Sequence, residues 1–121
     1  MNDVKEEVIF DEEQWRKEAA AVIQDVRSHV KEIAVSEVLR GSDKEIYFNL
    51  TTLEEERFCI QLTCGGFKIV SKEHDVVQEI GISNFETPYS LLDSVSPKFR
   101  ESFGNELMSK LLVLQKDVKE Q

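Results

Sequence analysis

The feature that most constrains the fold is a series of alternating apolar segments joined by very short connections. The first two segments place an apolar residue at every second position, as a strand with one buried face does. The predicted strands cover residues 45–53, 57–63, 67–70 and 76–80. Three glutamates at residues 54–56 form the first connection, and residues 64–66, with two glycines, form the second. Connections this short join antiparallel neighbours, so the sequence predicts an antiparallel meander of about four strands.

Helical periodicity is found on both sides of the predicted strands. Residues 13–34 carry regularly spaced apolar side chains and are predicted to form one helix. Its apolar stripe consists of Trp15, Ala19, Val22, Val26, Val30 and Ile33. After the strands comes a short helical segment, and then Ser96 and Pro97 suit the N-cap and first residue of a helix over residues 97–118. This order of elements predicts an α+β fold with an N-terminal helix, the meander and C-terminal helices.

The chain length of 121 residues suits one hydrophobic core and therefore one domain. Residues 1–12 hold five acidic residues against one lysine, and we predict an acidic flexible tail there. Residues 13–121 are predicted to form a single α+β domain that ends in the helix over residues 97–118.

The net charge of the chain is −9, and charged residues make up 32% of it. Such an acidic surface repels phosphate backbones and anionic lipids, which argues against nucleic acids and membranes as partners. No apolar run is long enough to span a bilayer, and the acidic N-terminus lacks the basic and apolar regions of a signal peptide. The two cysteines fit a reducing compartment. We therefore expect a cytoplasmic protein, with the nucleus left open as a second location.

The titratable residues form no pattern that predicts catalysis. His29 and His74 fall in different elements and have no partner at metal-ligand spacing. Cys59 and Cys64 have no second pair of ligands, and the turn that begins at Cys64 lacks the ending of a phosphate-binding loop. A Cys64–His74 pair is the one nucleophilic arrangement that stays open. We interpret the glutamates at residues 54–56 as a solvated loop and predict a binding protein with no enzymatic activity, cofactor or metal.

The C-terminal helix carries more apolar surface than one core contact requires. With about 100° per residue, a first arc roughly 120° wide contains a row of apolar side chains. This arc consists of Phe99, Phe103, Leu107, Leu111, Leu114 and Val118. Met108 and Leu112 form a separate flank, and Gly104 could permit close approach of another element. Two interpretations stay open. Either the first arc and the separate flank are both buried in the domain, or one of these two apolar arcs inserts into a groove on a partner.

Several short blocks between Trp15 and Asp117 occur together in one known family. The strongest blocks are Tyr89-Ser90-Leu91-Leu92-Asp93, Ser96-Pro97 and Arg100-Glu101-x-Phe103-Gly104-Asn105-x-Leu107. Weaker blocks are Ala19-x-Ala21-Val22 with Asp25-Val26, Leu39-Arg40 and Arg57-x-Cys59-x-x-Leu62-Thr63. Through this combination, which covers most of the chain, the sequence resembles the glycogen synthase kinase-3 beta interaction protein family.

The resemblance implies that the C-terminal helix binds glycogen synthase kinase-3, as the kinase-binding helix of axin does. The ridge Phe-x-x-x-Leu-x-x-x-Leu of that family matches Phe103, Leu107 and Leu111, and Leu114 matches a fourth apolar position. We call these four residues the ridge. The resemblance further implies that binding modulates or inhibits the kinase by occupying its scaffold-docking groove.

The resemblance also implies a second partner, the regulatory subunit of protein kinase A, bound by the N-terminal helix. The matching positions are Ile23, Arg27, Val30 and Ala34. Arg27 stands where an anchoring helix carries an apolar residue, and desolvating its guanidinium is costly, which argues against this partner. A third hypothesis is a structural domain like the one inside mitochondrial-distribution proteins, and flanking domains would favour it.

Overall fold

The computed structural model describes residues 11–78 and 84–119, with side chains up to residue 115 in the last helix. Most of the predicted acidic tail, residues 1–10, lies outside this part. The helices are α1 (Glu12–Val26), α2 (Pro88–Val95) and α3 (Pro97–Lys119), and a 3-10 turn at Arg27–His29 follows α1. The strands are β1 (Glu32–Val35), β2 (Glu45–Thr51), β3 (Arg57–Thr63), β4 (Gly66–Ser71) and β5 (Asn84–Phe85).

The five strands form one antiparallel sheet in the order β1-β2-β3-β4-β5, in which each strand pairs with its neighbours in sequence. The predicted α+β meander is therefore confirmed, with one strand more than expected. The predicted alternation of β2 and β3 is also confirmed, because Phe48 pairs with Ile60, Leu50 pairs with Phe58, and all four are buried.

The hydrophobic core lies between one face of this sheet and the helices. Helix α1 contributes the first four residues of the predicted apolar stripe, α2 contributes two leucines, and α3 contributes one phenylalanine from its first turn. These buried side chains are Trp15, Ala19, Val22, Val26, Leu91, Leu92 and Phe99. Helix α2 and the first turn of α3 therefore pack on the core, whereas most of the later residues of α3 are exposed.

The prediction of one helix over residues 13–34 is wrong at its C-terminal end. Helix α1 stops at Val26, and residues 32–35 form edge strand β1, whose pairing begins with Lys31 N donating to Thr51 O over 3.0 Å. Apolar residues at positions 26, 30 and 33 fit a helical stripe, but Val30, Ile33 and Val35 are β-branched and favour extended backbone. A short run of this kind does not distinguish the two periods.

The predicted strand over residues 76–80 is also wrong where the structure describes it. Residues 76–78 are not part of a strand, and residues 79–80 lie outside the described residues. The preceding turn has Asp75 at a φ of 61°, and its backbone N–H donates to Asn49 Oδ1 over 2.9 Å. The side chain of Asp75 in turn accepts from Asn49 Nδ2 over 2.8 Å, so this turn is fastened to β2.

Candidate functional site

Two side chains, those of Ser96 and Glu54, cap the start of α3. As predicted, Ser96 is the N-cap residue, and its Oγ accepts a hydrogen bond from Phe99 N over 3.0 Å. Glu54, from the turn between β2 and β3, accepts from the Ser96 hydroxyl over 2.7 Å and from Lys98 N over 2.8 Å. The interpretation of the glutamate turn as merely solvated is therefore wrong for Glu54.

The capping contacts also change the acidity of Glu54. Partial burial alone would raise the pKa of this carboxyl group. Hydrogen bonds from Lys98 N–H and the Ser96 hydroxyl, together with those from the Glu54 backbone and the Thr52 side chain, outweigh burial and hold the pKa below its ordinary value, because they favour the ionised form. The carboxylate thus supplies a negative charge at the positive end of the α3 dipole.

An aromatic cluster continues the contact between α3 and the rest of the domain. Phe99 is 2% exposed and stacks on Phe103, with ring centroids 5.4 Å apart. Phe103 is half-buried and also packs on Tyr89 of α2, at 5.3 Å. The His29 ring makes T-shaped contacts with Phe99 and Phe103, with ring centroids 5.8 Å and 5.4 Å away respectively. Phe103 is therefore both a ridge residue and part of the domain.

His29 makes the last polar contacts between the domain and α3. Its ring is buried, with Nδ1 2.8 Å from Ser102 Oγ and Nε2 2.8 Å from Glu106 Oε1. A carboxylate can only accept, so Nε2 donates to Glu106, and a neutral ring then accepts from the Ser102 hydroxyl at Nδ1. His29 is therefore satisfied on both nitrogens and has a structural role.

Beyond Phe103, α3 leaves the domain, and residues 104–115 are all exposed. Its large apolar side chains are between 48% and 61% exposed. They are Leu107, Met108, Leu111, Leu112, Val113 and Leu114. A Cβ atom added at Gly104 would have no neighbour within 4 Å, so this glycine does not serve close packing within the chain. The interpretation in which both arcs are buried in the domain is therefore wrong.

The residues proposed for protein kinase A binding do not share one helical face. Ile23 lies in α1 and is partly buried against the core, whereas Arg27 is exposed at the C-cap of that helix. Val30 has extended backbone and is 6% exposed, and Ala34 belongs to β1. The continuous flank that such an anchoring helix requires is therefore absent from these positions.

The structure separates the cysteine and histidine that stayed open as a catalytic pair. Cys64 follows Thr63, which pairs with Glu45 at the start of β2, whereas His74 Nε2 lies 3.0 Å from Leu50 O near the end of β2. Those two ends of β2 are roughly 20 Å apart at the rise of an antiparallel strand. Among the described residues, no cluster of histidine, cysteine, aspartate or glutamate could hold a metal ion. None of the described helices has both the length and the apolar character needed to cross a membrane.

Comparisons with known proteins agree with the motifs found in the sequence. The family model of the GSKIP domain matches residues 15–114. The GSK3B-interacting protein of Homo sapiens is 42% identical over 108 residues, which are 88% of this chain and 78% of that protein. The GSK3-beta interaction protein of Danio rerio is 44% identical over 98 residues, with 79% and 73% covered. The Protein GSKIP homolog of Drosophila melanogaster is 31% identical over 91 residues, with 73% and 76% covered. The chain therefore belongs to the GSKIP domain family.

Proposed function

We propose that this chain is a non-enzymatic regulatory protein that binds glycogen synthase kinase-3 through the ridge on α3 and modulates the kinase. The observation that carries the proposal is the projection of α3 from the domain, with Leu107, Leu111 and Leu114 each 48% to 61% exposed. The relatives from Homo sapiens and Danio rerio are named for interaction with the beta form of this kinase. A formed helix with an apolar side suits a hydrophobic groove on a partner.

The energetics of such a contact favour the ridge leucines as anchors. Full burial of one leucine side chain stabilises a complex by roughly 1.5–3 kcal/mol. The domain already orders the start of α3, which lowers the cost of fixing the helix during binding. Phe103 already packs on Tyr89 and His29 and is partly buried, so only part of its surface is left for the partner. We therefore assign most of the binding energy to Leu107 and Leu111, with Leu114 extending the contact.

The test is isothermal titration of purified kinase with three forms of the chain: unmodified, Leu107→Ala/Leu111→Ala, and Met108→Ala/Leu112→Ala. The two double variants remove similar apolar area from the same helix, on the ridge and on the separate flank about 100° away from it. We expect the ridge variant to lose at least about thirtyfold in affinity and the flank variant to stay near the unmodified chain. Equal losses of affinity in the two double variants, or an unchanged affinity in the ridge variant, would refute the assignment.

Modulation of the kinase follows if the ridge occupies a groove that other helical ligands use. Two ligands that share one groove exclude each other, so the chain would displace a scaffold-derived helix without touching the catalytic centre. A fluorescent axin-type helical peptide bound to the kinase should be released by the unmodified chain and retained with the ridge variant. Simultaneous binding of the peptide and the chain would contradict this mode of regulation.

Only one partner is proposed. Arg27 and Val30 lie outside α1, and Val30 is buried in the core, so no specific observation favours binding of the protein kinase A regulatory subunit. The described residues likewise give no observation that favours an enzymatic role.

A further inference from the structure

Helix α3 consists of two parts that meet at Gly104. Residues 97–103 rest on the domain, whereas residues 105–115 are solvent-exposed apart from individual side-chain contacts. Glycine inside a helix lowers helix stability relative to alanine, because it has more conformational freedom to lose. The weakest helical residue of α3 therefore stands at the point where support from the aromatic cluster ends.

His29 forms hydrogen bonds with α3 on both sides of Gly104. Its Nδ1 lies 2.8 Å from Ser102 Oγ, before Gly104, and its Nε2 lies 2.8 Å from Glu106 Oε1, after Gly104. Ser102 and Glu106 are four residues apart, so both side chains project from the same face of the helix. The His29 side chain is 4% exposed and packs against both Phe99 and Phe103. Within the described part of α3, Glu106 is the last side chain that hydrogen-bonds the domain.

We propose that His29 is a positioning residue for partner binding, which acts by holding the helix beyond Gly104 through Glu106. The bond keeps residues 105–115 helical and pointed in one direction, so the ridge is presented in its binding conformation. A partner that binds this preformed helix does not have to order it. This inference rests on the proposed kinase binding for its functional half, whereas its structural half concerns the free chain alone.

The experiment uses Glu106→Ala rather than a change at His29, because His29 is buried and its replacement could disturb the core. Glu101→Ala is the matched control: it is the same substitution on the same helix, at an exposed residue on another face. Both variants gain the same helix propensity, so a difference between them reports on the His29 bond. Hydrogen exchange of the α3 amides in the free chain is measured first, and kinase titration second.

We expect amide exchange over residues 105–115 to become about fivefold faster in Glu106→Ala, the effect of one net intramolecular hydrogen bond, and to stay unchanged in Glu101→Ala. Kinase affinity should fall by a similar factor in Glu106→Ala only. Adding Gly104→Ala to Glu106→Ala should restore both quantities, because alanine raises helix propensity and its Cβ meets nothing within 4 Å.

Three outcomes would overturn the inference. Equal exchange in the two glutamate variants would show that His29 does not hold the helix. Faster exchange with unchanged kinase affinity would show that binding does not use the ordered helix. Lower affinity with unchanged exchange would make Glu106 a direct kinase contact. If the unmodified chain does not bind the kinase, the proposed function fails, and the exchange comparison still decides whether His29 orders α3.

Discussion

Oε2 of Glu54 accepts a hydrogen bond from the backbone N–H of Lys98, 2.8 Å away and 44 positions later in the sequence. The contact fastens the turn between β2 and β3 to the first turn of α3. The first amides of a helix have no partner within the helix, and the helix dipole favours a negative charge beside them. Glu54 therefore holds the start of α3, and His29 holds the helix beyond Phe103 through its contact with Glu106. Together these two contacts fix the direction in which the helix leaves the domain.

Replacing Glu54 with alanine should lower the free energy of unfolding by about 1 kcal/mol, the usual effect of removing a helix cap. Urea denaturation at neutral pH measures this change. The control is Glu56→Ala, at an exposed residue of the same turn, which should stay within about 0.5 kcal/mol of the unmodified chain. Equal effects of the two substitutions would show that Glu54 does not act as a cap.

The turn at Asp75 should make stability depend on pH. Hydrogen bonds from Asn49 and Ser36 hold the pKa of Asp75 below its ordinary value, against the opposing effect of partial burial. A carboxyl group with a lowered folded pKa stabilises the fold above its unfolded pKa of about 3.9, and this contribution is lost as pH falls through the folded pKa. Asp75→Asn removes the titrating group and tolerates the φ of 61°.

We therefore expect Asp75→Asn to unfold at a lower urea concentration than the unmodified chain at neutral pH. The difference between the two midpoints should shrink as pH falls below about 3.9, because protonation removes the same charge from the unmodified chain. A midpoint difference that is constant across this range would contradict the role of the ionised carboxylate.

Phenylalanine and leucine residues of α3 should differ sharply in their effect on stability. Phe99 is 2% exposed in the core, so Phe99→Ala should cost about 3–5 kcal/mol. Leu111 is 57% exposed, so Leu111→Ala should change stability by less than about 0.5 kcal/mol. Urea denaturation of both variants measures the contrast. A large loss in Leu111→Ala would mean that the exposed part of α3 is docked in the free chain.

The substitution Leu111→Pro should break the exposed part of α3 while the rest of the domain stays folded. Leu111→Pro removes a backbone donor and breaks the exposed part of α3, and it also removes a ridge side chain. We expect the amide NMR signals of β2, β3 and β4 to keep their positions while kinase binding disappears from titration. If this variant still binds the kinase, the ridge is not the binding site.

The two thiols should react at very different rates. Cys64 is exposed, whereas Cys59 is fully buried, and burial raises the pKa of the Cys59 thiol against hydrogen bonds that lower it. The thiolate is the reactive form, so both effects slow Cys59. Mass spectrometry after brief treatment with a thiol reagent should show one label on the folded chain and two in urea. Rapid double labelling of the folded chain would contradict the burial of Cys59.

The features that local patterns encode were predicted correctly. Alternation in β2 and β3 and the capping signal at Ser96 and Pro97 each depend on neighbouring residues, so they can be recognised without the fold. Strand β1 is not recognisable because Val30 and Ile33 continue the helical spacing of α1, whereas the extended spacing of Ile33 and Val35 spans only four strand residues.

The contacts of Glu54 and His29 have no local signal. Glu54 meets Ser96 across 42 positions, and His29 meets Glu106 across 77. Only the packing of the sheet against α2 and α3 brings these residues together. The sequence also shows how much apolar surface α3 carries, but whether that surface is covered depends on where the domain ends. The ridge residues could therefore be selected in advance, whereas the residues that hold the helix could not.

The core is complete at Phe103, so the exposed leucines proposed for recognition contribute little to folding. A substitution at Leu107, Leu111 or Leu114 changes the contact surface while leaving the free energy of unfolding almost untouched. The exposed part of α3 can therefore accumulate changes during evolution without passing through unstable intermediates. In this architecture, a new binding preference can arise from a few surface substitutions on a domain that stays folded throughout.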